Sequence, residues 1–168
     1  MKHRITVVDR AWAEQLDADG VEAVVSLGMY SKRASLLFEH TDEWFHVSTD
    51  TSQPAESQRD AFWGFFIPYY TTWASLVYVV WEALKHLKID DLIIKDIVKE
   101  LDIDLFRNYR NSTFHFDRKF RSEHQRKFLA RNGFIAVRKL FERQEELVLQ
   151  MLELIKHNPH YNASDVRF

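Results

Sequence analysis

Apolar side chains recur along this chain in steps of three and four, the interval that gathers them on one side of an α-helix, and they rarely alternate as a strand requires. Val8, Trp12 and Leu16 form the first such set, closed by the turn-forming run Asp17-Ala18-Asp19-Gly20, so residues 1–20 read as a short N-terminal helix. Over residues 21–47, Val24, Leu27, Tyr30, Leu37, Phe38, Trp44 and Phe45 predict a long helix with weak points at Gly28 and residues 31–33. Residues 48–54 read as a loop, because short hydroxyl and amide side chains compete for backbone hydrogen bonds and Pro54 disfavours helix before it. The segment 62–87 is the most apolar of all: Phe62, Phe66, Tyr69, Trp73, Val77, Val80, Leu84 and Leu87 keep helical steps, while Phe65, Tyr70, Leu76, Tyr78 and Trp81 widen the stripe. That pattern predicts a central helix buried on most sides, which Pro68 either kinks or begins.

A shorter amphipathic helix follows, with Leu92, Ile93, Ile97, Val98 and Leu101 expected to face inward. Asp102-Ile103-Asp104 opens another segment with the acids that a helix N-terminus favours. The last helix spans 122–157, with Phe128, Leu129, Phe134, Val137, Leu140, Phe141, Leu147, Leu149, Met151, Leu152 and Ile155 as core candidates and Gly133 as the residue placed to interrupt it. Asn158-Pro159 ends it, and residues 158–168 read as a loosely held tail. Residues 21–157 thus form one helical domain: two long helices, shorter ones, and a long C-terminal helix.

Composition narrows this further. A length of 168 residues suits one domain, and four Gly with three Pro are too little punctuation for an all-β fold, which turns every ~8–12 residues. The fold class is therefore all-α. With no cysteine, the chain has no disulfide, no Cys-ligated zinc and no cysteine nucleophile; a reducing, cytoplasmic setting is expected. The apolar run 5–8 is too short for a signal peptide, and Glu82 and Lys85 interrupt the best membrane-span candidate, so no membrane association is expected.

The net charge of −2 conceals an uneven distribution. From Arg107 to Arg143 eleven basic residues face three acidic ones, a local +8, which leaves −10 for the remainder. Such a stretch either binds a polyanion or pairs with acidic helices of its own fold, and composition does not choose between these.

Candidate chemistry concentrates in residues 105–116, where polar groups sit among large apolar ones. Arg107, Asn111 and His115 are spaced by four, so a continuous helix aligns them on one stripe, with Arg110 able to swing toward it. A fixed cation, an orienting amide and a base that titrates near neutrality are what phosphodiester cleavage without a metal needs. The run Arg110-Asn111-Ser112-Thr113-Phe114-His115 resembles the signature of the HEPN superfamily: Arg, four to six residues, His, often with Asn directly after the Arg. The pattern also occurs at Arg33 to His40 and Arg118 to His124, but only Arg110 is followed by Asn and lies after two long helices. The resemblance implies an all-α helical bundle and a homodimer with facing motifs; in active members it implies a metal-independent endoribonuclease, many serving in toxin–antitoxin, phage-defence and RNA-processing systems. Carried over, it implies that Arg110 holds the scissile phosphate, Asn111 orients groups and His115 is general base or acid, with Arg107, Tyr109 and Arg118 in second rank for RNA contact. RNA is then the expected partner, alongside a second copy and an antitoxin or other protein, and no cofactor is expected.

The competing readings are a noncatalytic RNA- or protein-binding helical module and, more remotely, a metal-dependent bundle. In the first, His115 is a core histidine and Arg110 pairs with Asp117 or an acid of another helix. The Glu43-x-x-His46 unit has metal-ligand spacing but no second such unit, and Glu82 with His86 reads as a local helix pair. The aromatic run at 62–81 reads as core rather than as a base-stacking platform.

Overall fold

Seven α-helices and one π-helical turn account for the regular structure in a computed structural model that describes residues 8–114 and 123–162. They are α1 (Arg10–Glu14), α2 (Ala18–Thr49), α3 (Ala55–Ala61), the π turn (Phe62–Phe66), α4 (Ile67–His86), α5 (Leu92–Glu100), α6 (Ile103–Phe114) and α7 (Glu123–Ile155), and no strand occurs among the described residues. The helix starts follow ordinary capping chemistry. Asp9, Asp17 and Asp91 each accept a backbone N–H of the first turn of α1, α2 and α5 at 2.8 Å, and Asp102 accepts the Leu105 N–H at 3.0 Å where α6 begins.

Helices α2, α4, α6 and α7 make a four-helix bundle in which α4 touches the other three, while α2 and α6 each pack on α4 and α7 and so occupy opposite corners. Tyr70, Trp73, Ala74, Val77, Tyr78 and Leu84 of α4 are buried, as expected for a helix apolar nearly all round. Around them run stacked and tilted aromatic contacts, among them Phe38–Phe141 at 5.0 Å, Phe45–Phe134 at 4.4 Å and Tyr109–Phe128 at 4.1 Å between ring centroids. Gln144 of α7 is buried in this core, its amide donating to the Val77 carbonyl at 3.2 Å and accepting the Trp81 N–H at 3.3 Å.

Pro68 marks a start rather than a kink. It lies in the first turn of α4, directly after the π turn in which Ile67 N–H reaches back five residues to the Phe62 carbonyl. Gly28 does not weaken α2; a Cβ there would lie 3.0 Å from the methyls of Leu152, so the glycine admits α7 at close range. Gly133 does interrupt α7, with φ 45° and ψ 159°, a conformation nearly confined to glycine.

Some inward-facing expectations are corrected. Leu92 and Ile93 are 61% and 53% exposed, and it is Ile94 and Leu101 that α5 and its end bury. The reason is phase: Asp91 caps α5 while Arg143 of α7 grips its carboxylate at 2.6 Å, which turns Ile94 and not its predecessors toward α7. Tyr30 and Leu149 likewise face outward. The tail is not loose as far as residue 162: Asn158 is buried, its side-chain NH2 donates to the carbonyls of Ala13 and Leu16 at 2.6 and 3.0 Å, and its Oδ1 accepts the His160 N–H at 2.8 Å. Asn158 thereby closes the C-terminal end of α1 onto the end of α7.

Candidate functional site

Helix α6 is held to the bundle by Leu105, Phe106 and Tyr109, which are buried, and this leaves Arg107 and Asn111 on its outer side with Arg110 at the edge of the contact with α4. The Arg110 guanidinium donates to the Glu82 carboxylate of α4 at 2.8 Å and lies 5.1 Å from the centroid of the Tyr78 ring. Its side chain is 27% exposed, and its Nε is buried without an acceptor among the described residues. The Tyr78 hydroxyl receives the Arg107 Nε–H at 3.1 Å and donates to the second Glu82 oxygen at 3.4 Å; Arg107 also reaches Asp104 at 3.2 Å. Two guanidinium groups therefore meet at one phenol, Arg110 over the ring and Arg107 at the hydroxyl. The Tyr78 hydroxyl in first place, then Asp104 and Glu82, hold the Arg107 guanidinium above its usual range.

Of the residues singled out in the sequence, Arg107 and Arg110 come together at Tyr78, and Asn111 follows on the same helix, one turn on from Arg107. Tyr109 is a correction: it is fully buried, stacked on Phe128, with its hydroxyl 2.7 Å from Thr71 Oγ1, and a ring so enclosed cannot stack on a base. Burial pushes its phenol well above the usual tyrosine range. His115 and Arg118 lie outside the described residues.

Glu82 was legible only as a pair with His86, yet its carboxylate serves Arg110 and Tyr78. The signal that could have found it is its isolation, a single acid on the most apolar helix of the chain. Part of the basic stretch is engaged within the fold. Besides Arg110, Arg131 meets Asp102 at 2.6 Å, Arg138 meets Asp42 at 2.9 Å, and Arg143 meets Asp91 at 2.6 Å, each joining α7 to another helix or its cap. Asp102 and Asp91 are the capping residues of α6 and α5, so α7 arginines steady the acids that start two neighbouring helices.

Glu43 contacts His40 at 3.9 Å and His46 contacts Asp42 at 3.7 Å; no group of three metal-ligating side chains converges among the described residues. No described helix is long and apolar enough to cross a membrane. Compared with protein-family models, with curated proteins and with solved structures, the chain matches none.

Proposed function

We propose that the α6 edge is the phosphate-binding half of a metal-independent endoribonuclease site of the HEPN kind, with Arg110, Asn111 and His115 as its reactive groups. One observation carries this reading: the Arg110 guanidinium is oriented in advance by Glu82 and the Tyr78 ring, yet keeps an exposed part. A preorganised cation of that sort stabilises negative charge without reorganising as the charge develops. In the proposed reaction neutral His115 takes the proton of a ribose 2′-OH, the 2′-oxygen bonds to the adjacent phosphorus, and the bond to the 5′-oxygen breaks. A second His115, from an apposed copy, returns a proton to that leaving oxygen, giving a 2′,3′-cyclic phosphate and a 5′-OH. Arg107, half-exposed beside Arg110, extends the cationic edge along the strand. A role in a toxin–antitoxin or defence system, with a protein antitoxin as partner, belongs to the same proposal.

The test is labelled RNA incubated with purified protein in excess chelator. Cleavage is expected for RNA and not for the matching DNA, which lacks the internal nucleophile. His115→Ala should lower the rate by about 10²–10⁴ with helical circular dichroism unchanged. Arg110→Lys, which keeps the charge but not the planar fork, should also cut poorly. Intact RNA after prolonged incubation with folded wild-type protein would end the nuclease reading.

A noncatalytic interaction module is the second reading. What favours it is that five arginines of the basic stretch already meet carboxylates of their own chain, which lowers the charge left for a polyanion.

A further inference from the structure

The outer face of α2 carries a stripe that neither the core nor the α6 edge uses. Met29, Arg33, Leu36, His40, Glu43 and Val47 recur in steps of four and three, five full turns of an ideal helix over 18 residues, so they form one straight row ~27 Å long. All six are exposed, Leu36 most among the apolar ones at 54%, while Val21, Val24, Leu27, Ser31, Ala34 and Thr41 fill the opposite face against α4 and α7. The row is flanked on the α4 side by two ring stacks, His40 on Tyr69 at 5.3 Å and Trp44 on Phe65 at 4.2 Å, and Phe65 is itself 47% exposed. Met29, Leu36 and Val47 are the apolar members of the row, and Arg33, His40 and Glu43 stand between them, so the row offers apolar and charged contacts in a fixed order.

The order of residues in the row identifies the occupant. Turned end for end about its middle, the row meets itself: Met29 opposes Val47, Arg33 opposes Glu43, and Leu36 opposes His40. A two-fold axis through the centre of the row therefore sets apolar ends on apolar ends and makes each cation–anion pair twice, the self-complementarity that a symmetric dimer requires. A parallel arrangement would instead set Arg33 on Arg33 and Glu43 on Glu43. We propose that α2 is an antiparallel dimerisation surface, occupied by α2 of a second copy of this chain in the Arg33–Glu43 register. Because α2 and α6 stand at opposite corners of the bundle, this contact leaves the α6 edge open and is independent of any pairing there.

Sedimentation equilibrium of the full chain tests it with Arg33→Glu, Glu43→Arg and an equimolar mixture of the two. Each single variant puts like charges together at both symmetry-related contacts and should weaken association by at least roughly tenfold. Mixing the two restores opposite charges at both contacts and should restore the wild-type mass. If the α6 edges also pair, wild type sediments as a tetramer or longer and the single variants fall to dimers, and the mixture again restores the larger species. A monomeric wild type, single variants that associate like wild type, or a mixture that stays dissociated would each overturn the proposal. Circular dichroism should be unchanged throughout, since the substituted positions are exposed.

Discussion

Replacing Asn158 by Ala should destabilise this protein more than any surface substitution of the same size. The side chain is 4% exposed and makes three hydrogen bonds, two donated to the carbonyls of Ala13 and Leu16 and one accepted from the His160 N–H. Each such bond contributes about 1 kcal/mol net, and a partner left buried without another costs about 1–3 kcal/mol. Water reaching part of the opened site reduces the sum, so the expected loss is about 3 kcal/mol, or roughly 6–12 °C in Tm for a chain of this length. Urea and thermal unfolding followed by circular dichroism read it directly. Asn158→Asp sharpens the test, because it keeps the acceptor for His160 while setting a carboxylate against two carbonyl oxygens. It should be at least as damaging as the alanine despite its closer shape. If both variants unfold within ~0.5 kcal/mol of wild type, the range ordinary for exposed sites, then Asn158 does not tie the end of α7 to α1 and the reasoning fails.

Two glycines give opposite outcomes from one substitution. A Cβ at Gly64 or at Gly133 meets nothing within 4 Å, but only Gly133 has positive φ; Gly133→Ala should cost about 1–3 kcal/mol from backbone strain, whereas Gly64→Ala should gain up to ~1 kcal/mol, both read as shifts in urea midpoint. Asp91 supplies an acid-side dependence. Burial raises its pKa, but the hydrogen bond from Arg143 and the Ile94 N–H outweigh burial and leave it lowered. A carboxyl lowered on folding stabilises above its unfolded pKa near 3.8 and loses that contribution as pH falls through the folded value. Stability should thus decline below about pH 4, and Asp91→Asn, which retains the cap, should flatten that limb of the urea-midpoint profile.

How far the sequence reveals this molecule depends on which physical quantity each feature expresses. Helix number, order and the central place of α4 follow from the three-and-four spacing of large apolar residues, a local property that burial enforces directly. The face of α5 does not, since Leu92, Ile93 and Ile94 are equally apolar and their phase is set by Arg143 gripping the Asp91 cap from fifty-two residues away. The same limit applies to Asn158, whose partners lie on α1, and to Gly28, a weak point in a helix until Leu152 is set against it. At the candidate site, spacing by four shows the stripe of Arg107 and Asn111, whereas Tyr109, two positions on from Arg107 and so about 160° around the helix from it, belongs to the buried side of α6. The Glu82 and Tyr78 partnership with Arg110 joins helices distant in sequence, and no local pattern encodes it.

The widened turn at residues 62–66 changes how length must be counted in this protein. Because one backbone bond there spans five residues rather than four, α3 and α4 run end to end as a rod holding one residue more than an unbroken α-helix of equal rise would. Each residue advances an ideal helix by about 100°, and the bulge absorbs the extra one, so a chain shortened by one position in this stretch would close the turn into ordinary α-helix and leave the faces of α3 and α4 where they are. Sequences alike in every other respect but one letter shorter here would then carry their apolar rhythm unbroken from the first helix of the rod into the second.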